Sequence, residues 1–282
     1  MKNKPRRVRG WRRKLARWIN PAAREPEIPP APVIPAPATG LLQNEGTCPC
    51  CDKQTKFVAH HSWYRDHYLC SLCGCIPRER ALMYCIELFM PEWRTAVIHE
   101  SSPGNRGASI KLQNQAPGYV GSQYFPGITP GEVHQGWRCE NIEKLSFADA
   151  SIGLHVTQDV FEHIFDPAAA VREIARTLRP GGMHIFTVPL INKQQPTEVC
   201  AKLNPDGTVE HLREPEYHGN PISDKGSLVT HRWGYDICEF IFRSCGLFTE
   251  MVYLDMLEHG IRADLIEVLV MRKPPLAASA TQ

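Results

Sequence analysis

No apolar run in these 282 residues approaches the roughly 20 that a membrane-spanning helix needs. The basic start is not followed by an apolar stretch, so no secretory signal is expected. Acidic residues are missing from the first 20 positions, which hold nine Lys and Arg; the remainder has 23 basic against 30 acidic residues. The tail is therefore strongly basic and the body mildly acidic. No internal repeat is visible. The loop after Val97 to Glu100, reading Ser101-Ser102-Pro103-Gly104, lacks the glycine-x-glycine spacing with which many folds meet a nucleotide cofactor.

Eleven cysteines are present, and six of them crowd into residues 48–75 in close pairs. Crowding of this kind reads as a metal site rather than a secreted disulfide scaffold, and it suits a reducing cytoplasm. Cys48 and Cys51 form one C-x2-C pair, and Cys70 and Cys73 form a second after an 18-residue gap. Two such turns facing each other complete a tetrahedron of thiolates, which structural zinc prefers. Cys50 and Cys75 are spare thiols that can replace a neighbour. Four cysteines fill a site, so the expected zinc is closed and structural. A redox dithiol is the competing reading.

Residues 1–20 carry Trp11, Leu15, Trp18 and Ile19 at helical spacings. A solvated tail is expected, with a short amphipathic helix on an anionic membrane surface, a nucleic-acid contact or an organelle transit segment as alternatives. Seven prolines between 21 and 39 make a stiff linker. The expected organisation is a tail and linker over 1–40 and a cysteine module with a connecting helix over 41–92. A main domain over 93–273 and a short tail over 274–282 follow.

From Thr95 onward, strand and helix patterns alternate. Strands are expected at 95–99, 119–122, 152–157, 183–188, 248–254 and 265–271. Helices are expected at 77–90, 105–115, 167–178 and 235–245. Alternation argues for a mainly parallel sheet with helices on both faces. Asp166 is a good N-cap and Pro167 a good first helical residue. Val171, Ile174, Ala175 and Leu178 then share one apolar face. Arg179 to Gly182 should stop the helix and turn the chain. The stretch 190–230, rich in Pro, Gly and His, reads as a long insertion of the kind that forms lids.

Leu145-Ser146-Phe147, Glu162-His163-Ile164 and Leu178-Arg179-Pro180-Gly181-Gly182 together resemble the class I S-adenosylmethionine-dependent methyltransferases over about 95–272. The cysteine-rich start, His218-Gly219-Asn220-Pro221 and Trp233-Gly234-Tyr235-Asp236 resemble a bacterial subgroup of the type 11-like branch. The resemblance implies a Rossmann-like α/β sheet, S-adenosylmethionine as cofactor, and methyl transfer. It places the cofactor's methionine end against Glu100, Ser101 and Gly104. Gln123 then stands where the family's ribose acid stands, and a neutral amide there costs about 1 kcal/mol of hydrogen bonding against a carboxylate. Asn141, with Ile142, falls at the adenine position, and Gln158 lines the cofactor side at the end of the fourth strand.

Methyl transfer is an in-line displacement, in which the protein aligns the nucleophile and takes its proton. Candidate catalytic groups are Asp159, His218 and His231. The implied acceptor is a small molecule or glycan, within cell-surface polysaccharide assembly by analogy with relatives of this architecture. Two other readings stay open. One is a non-catalytic binding protein that keeps the fold. The other is an RNA- or protein-directed methyltransferase using the zinc module for recognition. The expected location is cytoplasmic, with a membrane-peripheral alternative through the basic tail.

Overall fold

The structure is a computed structural model that describes residues 41–220 and 223–276. The expectations for the basic tail and the proline-rich linker lie outside the described residues. The chain begins with an antiparallel sheet of β1 (Gln43–Thr47), β2 (Gln54–Ala59) and β3 (Tyr68–Cys70). A single helical turn, α1 (Tyr64–His67), leads into β3, and the long helix α2 (Pro77–Phe89) follows. Pro77 opens α2, and Glu79 returns its carboxylate to the amide of Ile76 at 3.1 Å.

The main domain is an eight-stranded mixed sheet. Its strands are β4 (Ile98–Ser101), β5 (Tyr119–Gln123), β6 (Val133–His134), β7 (Trp137–Cys139), β8 (Ile152–Gln158), β9 (Leu178–Thr187), β16 (Thr249–Val252) and β17 (Val268–Arg272). They lie in the order β16-β17-β9-β8-β4-β5-β7-β6. The five strands from β9 to β7 in that order are parallel to their neighbours, while β17, β16 and β6 run antiparallel to theirs. This is a Rossmann-like α/β arrangement, with helices α3 (Gly107–Gln115), α4 (Pro167–Thr177) and α5 (Ile237–Cys245) packed beside it.

Period-two alternation divides the sheet between two cores. Leu154, Val156, Ile185, Val268 and Val270 face one side, where they join Phe57, Leu82, Ile86 and the buried cysteines. Phe186, Leu269 and Met271 face the other, against Val171 and Ile174 of α4 and Ile237 and Ile241 of α5. Burying Val171 or Ile174 contributes roughly 2 kcal/mol each. The cysteine module is thus continuous with the first core.

Most expected elements form, with differences of detail. Asp166 caps α4 as expected, accepting from Ala169 N at 2.9 Å. Asp236 stands at the N-cap of α5, but its carboxylate accepts from the amide and hydroxyl of Thr197 instead, at 2.9 and 2.6 Å. The stretch Leu178 to Gly182 ends α4 but is already part of β9, with a register irregularity opposite Ile152 and Leu154. A Cβ on Gly182 would sit 2.9 Å from the carbonyl oxygen of Gly153, so this close strand approach needs glycine. Residues 190–230 are built from ribbons. β10 (Glu198–Val199) pairs with β15 (His231–Arg232), β11 (Ala201–Leu203) with β12 (Val209–His211), and β13 (Tyr217–Asn220) with β14 (Ser223–Leu228).

Candidate functional site

The chain leaves β4 toward β5 and β7 on one side, then crosses to β8 on the other. The carboxyl ends of β4 and β8 therefore border a topological switch point, where open α/β sheets bind ligands. Glu100, Ser101, Gln158 and Asp159 stand there.

Glu100 is fully buried. Its carboxylate accepts from Ser109 Oγ at 2.6 Å, Tyr119 Oη at 2.8 Å and Gln158 Nε2 at 2.8 Å. Burial pushes its pKa up against these three donors. Gln158 also donates to Ser109 Oγ, which accepts from the amide of Gly104 at 2.9 Å. Glu100 thus holds the loop through Ser109 and Gln158, with its own oxygens spent on protein donors. Ser102 sits at φ +54°, and its amide donates to Ser122 O at 2.8 Å. A Cβ on Gly104 would meet only Ser109 Oγ, at 3.6 Å, so the backbone there is approachable.

Ser101 pairs in register with Ser122, and Gln123 with Cys139. The ends of β4, β5 and β7 thus lie side by side, which lines up Ser101, Gln123 and the segment from Glu140 to Ile142. Gln123 is 3% exposed. Glu140 is taken up by Arg138 Nε at 2.6 Å and by the amide and hydroxyl of Ser146. Asn141 Oδ1 accepts from the amide of Glu143. The Ile142 side chain packs into the second core.

On the other side of the switch point, Asp159 has φ +53° and faces two arginines from the cysteine module. Arg65 Nη2 lies 2.5 Å from its carboxylate and Arg78 Nε 3.3 Å, and Thr187 Oγ1 donates at 3.0 Å. Burial raises the Asp159 pKa, but Arg78 and Arg65 outweigh it and hold the group ionised below the usual carboxylate range. The two arginines escaped the sequence reading. Arg78 carried a signal: a cation in the first turn of α2 opposes the helix dipole, and so calls for a carboxylate partner.

Next to Asp159, Glu162 is 2% exposed and neither oxygen has a hydrogen-bond partner. His218, on β13, places Nδ1 3.8 Å from Glu162 Oε1, and His163 Nε2 lies 3.7 Å from the same oxygen. His231 is set apart by its bonding. Its Nδ1 meets Thr230 Oγ1 at 2.9 Å, its ring stacks on Trp233, and burial lowers its pKa to about 4.

The two cysteine knuckles repeat one geometry. The amide of Asp52 donates to Cys48 O and that of Gly74 to Cys70 O, and both donor residues have positive φ, 58° and 68°. The sulfurs of Cys48, Cys51, Cys70 and Cys73 lie within 4.8 Å of one another. Zn–S bonds of about 2.3 Å place sulfurs of a tetrahedral site roughly 3.8 Å apart. Cys48 and Cys73 are 3.9 Å apart, so the thiol set fits the metal. Cys75 comes within 3.4 Å of Cys48, and Cys50 donates to Glu79 O.

Residues 127–186 match the family described as a methyltransferase domain. The chain resembles S-adenosylmethionine-dependent methyltransferases. It is 28% identical over 164 residues to a protein of Mycobacterium tuberculosis named "Probable S-adenosylmethionine-dependent methyltransferase", covering 57% of this chain and 53% of that one. The match thus spans about half the length of that relative. Among solved structures, an S-adenosylmethionine-dependent methyltransferase from Mesorhizobium loti is 14% identical, with 68% of this chain and 97% of that chain covered and a TM-score of 0.42. A second, described as a putative enzyme of the same kind from Listeria monocytogenes, is 9% identical, with 70% and 98% covered and a TM-score of 0.43.

Proposed function

We propose that this protein binds S-adenosylmethionine across the ends of β4, β5 and β7 and transfers its methyl group to an acceptor held beside Asp159. The observation that carries this reading is the switch point itself. A pinned but approachable loop, Ser101 to Gly104, stands on one side of it and an ionised Asp159 on the other, and the methyltransferase match runs through β8 into β9. Gln123 offers its amide oxygen to the ribose hydroxyls, and Asn141 lies in line for the adenine. In the transfer, an acceptor oxygen or nitrogen attacks the methyl carbon while the sulfonium C–S bond breaks, and the acceptor loses a proton. Asp159, tied to two arginines, is a positioning group and a weak base. His218, whose side chain is 34% exposed, is the most open of the three candidate groups.

The acceptor class that the architecture favours is a small molecule or glycan. Zinc, held by Cys48, Cys51, Cys70 and Cys73, is structural in this reading. Among the described residues no helix is long and apolar enough to cross a membrane. One observation favours the alternative of a binding protein: Glu100, the acid at the family's first-strand position, makes all its bonds inside the protein. Calorimetry with S-adenosylmethionine and its demethylated product decides. Binding of both in the micromolar range is expected. No binding at millimolar ligand would sink the enzyme reading, and binding without transfer to any acceptor would favour the alternative.

A further inference from the structure

Glu162 poses a problem that hydrogen bonding leaves unsolved. Its carboxylate is buried, and both oxygens lack a donor. An ionised carboxylate in that condition costs several kcal/mol, so the group must either take up a proton or gain a cation. Arg65 and Arg78, the nearby cations, are turned to Asp159.

Two imidazoles face Glu162 with lone pairs rather than protons. His163 Nδ1 is 2.9 Å from the carbonyl oxygen of Leu228. A carbonyl only accepts, so Nδ1 carries the proton and Nε2, the atom facing Glu162, is bare in the neutral ring. His218 repeats the arrangement with its nitrogens exchanged. Its Nε2 faces the Glu216 carboxylate at 3.4 Å, which draws the proton there and leaves Nδ1 toward Glu162. Two bare imidazole nitrogens thus converge on Glu162 Oε1, at 3.7 and 3.8 Å. These gaps are too long for hydrogen bonds. They are slightly wider than the roughly 3.3–3.6 Å between atoms sharing a tetrahedral ion at about 2.0–2.2 Å, so the two imidazoles need to close in by only a few tenths of an ångström. Ligating histidines characteristically donate their far nitrogen to a carbonyl or carboxylate, as His163 does to Leu228 O, and His218 turns its far nitrogen toward Glu216.

We infer that Glu162, His163 and His218 form a second metal site, for a divalent first-row cation, separate from the thiolate cluster. One carboxylate and two imidazoles suit Mn²⁺, Fe²⁺ or Zn²⁺. Three protein ligands leave room for water or an oxygen-bearing molecule. The site lies directly after Asp159, at the carboxyl end of β8. In this arrangement His218 binds the cation and is not the base for an acceptor proton. The ligands come from two distant segments, so the cation also ties the β13–β14 ribbon to the sheet.

The test uses the full chain with its cysteine site already zinc-loaded, titrated with Mn²⁺ while free Mn²⁺ is followed by electron paramagnetic resonance. Mn²⁺ is chosen because thiolates select zinc and carboxylate-bearing sites accept manganese. One equivalent should bind to the wild type, and at least ten-fold more weakly to Glu162→Gln and to His218→Ala. His218 is on a partly exposed ribbon, and a thermal melt will confirm that its variant is folded. Wild-type and His218→Ala proteins binding Mn²⁺ alike, or no binding of Mn²⁺ to the wild type at millimolar concentration, would overturn the site. The readout does not involve S-adenosylmethionine, so it can fail or succeed independently of the methyltransferase reading.

Discussion

The protein gathers donor side chains in two places, and the two are built on opposite principles. The cysteine cluster takes its ligands from two tight turns only 18 residues apart, and each turn fixes its thiols by its own backbone hydrogen bonds. The Glu162 cluster takes adjacent residues from a short 3-10 turn after β8 and one from a ribbon more than 50 residues later. The first is soft, compact and continuous with the hydrophobic core. The second is nitrogen and oxygen, and reaches the surface through His218. Local closure suits a structural role, because the site forms as soon as its two turns fold. Assembly from distant segments suits a role that depends on the finished sheet and on what enters beside it.

The largest effect should come from breaking the local cluster. A Cys48→Ser, Cys70→Ser double variant removes one ligand from each knuckle. Structural zinc contributes on the order of 10 kcal/mol of apparent binding energy to small modules. Since Cys48 and Cys70 share a core with Leu154 and Val268, unfolding should spread into the sheet rather than stop at β3. Elemental analysis should find zinc lost, and circular dichroism should show a partly unfolded chain at 25 °C. A metal-free wild type of full stability would end the structural-zinc reading.

A third set of histidines sharpens the contrast, because it is paired without a metal. His99, His155 and His184 stand in register on β4, β8 and β9, buried together on the α4 side. His99 Nδ1 meets His155 Nδ1 at 3.0 Å, and their Nε2 atoms meet Ser122 and Thr177 at 2.8 Å. Burial lowers the pKa of His99 and His184 from 6.5 to about 3. The unfolded chain therefore takes up protons at these sites below pH 6.5 while the folded chain does not. Their stabilisation is present above pH 6.5 and lost as pH falls toward 3. By pH 5 the loss should reach about 2 kcal/mol for each, or about 4 kcal/mol for the two. Urea midpoints between pH 7 and 5 measure it. A flat profile would mean that the ladder is open to solvent protons.

Sequence made the local features legible and left the distant ones hidden. Asp166-Pro167 and the spacing of Val171 and Ile174 specify α4 through neighbours three and four residues apart, so they read directly. The knuckles read for the same reason. Nothing local marks His99, His155 and His184 as partners, because they meet only through the order of the sheet. The ribbons of 190–230 are short and polar, with little period-two signal, and their pairing of Glu198 with Arg232 spans the whole segment. His218 was singled out, but as a base. Its place beside Glu162 depends on β13, and the proton position that argues for a ligand depends on Glu216. Arg179-Pro180-Gly181-Gly182 misled in a smaller way, since a proline and two glycines suggest a turn where the chain enters a strand.

The smallest of these effects probes how the local cluster is fastened to the sheet. Arg80, on α2, is fully buried. Its guanidinium donates to the carbonyls of Cys75, of Tyr68 at 2.7 Å and of Gly260 at 2.7 and 3.0 Å, and lies 4.8 Å from the Phe57 ring centre. One side chain thereby joins the second knuckle, β3 and the turn before β17. Arg80→Met preserves the aliphatic stem and its packing but leaves three buried carbonyls without that donor. The Cys75 carbonyl keeps the amide of Cys70 at 3.0 Å, so the Tyr68 and Gly260 carbonyls carry the cost; at about 1 kcal/mol each, a loss of about 2 kcal/mol is expected, with zinc retained because no ligand is touched. A lower urea midpoint at unchanged zinc content would separate the fastening from the metal. An unchanged midpoint would mean that burying the Arg80 charge costs as much as its bonds return, and that the shared apolar core alone holds the module in place.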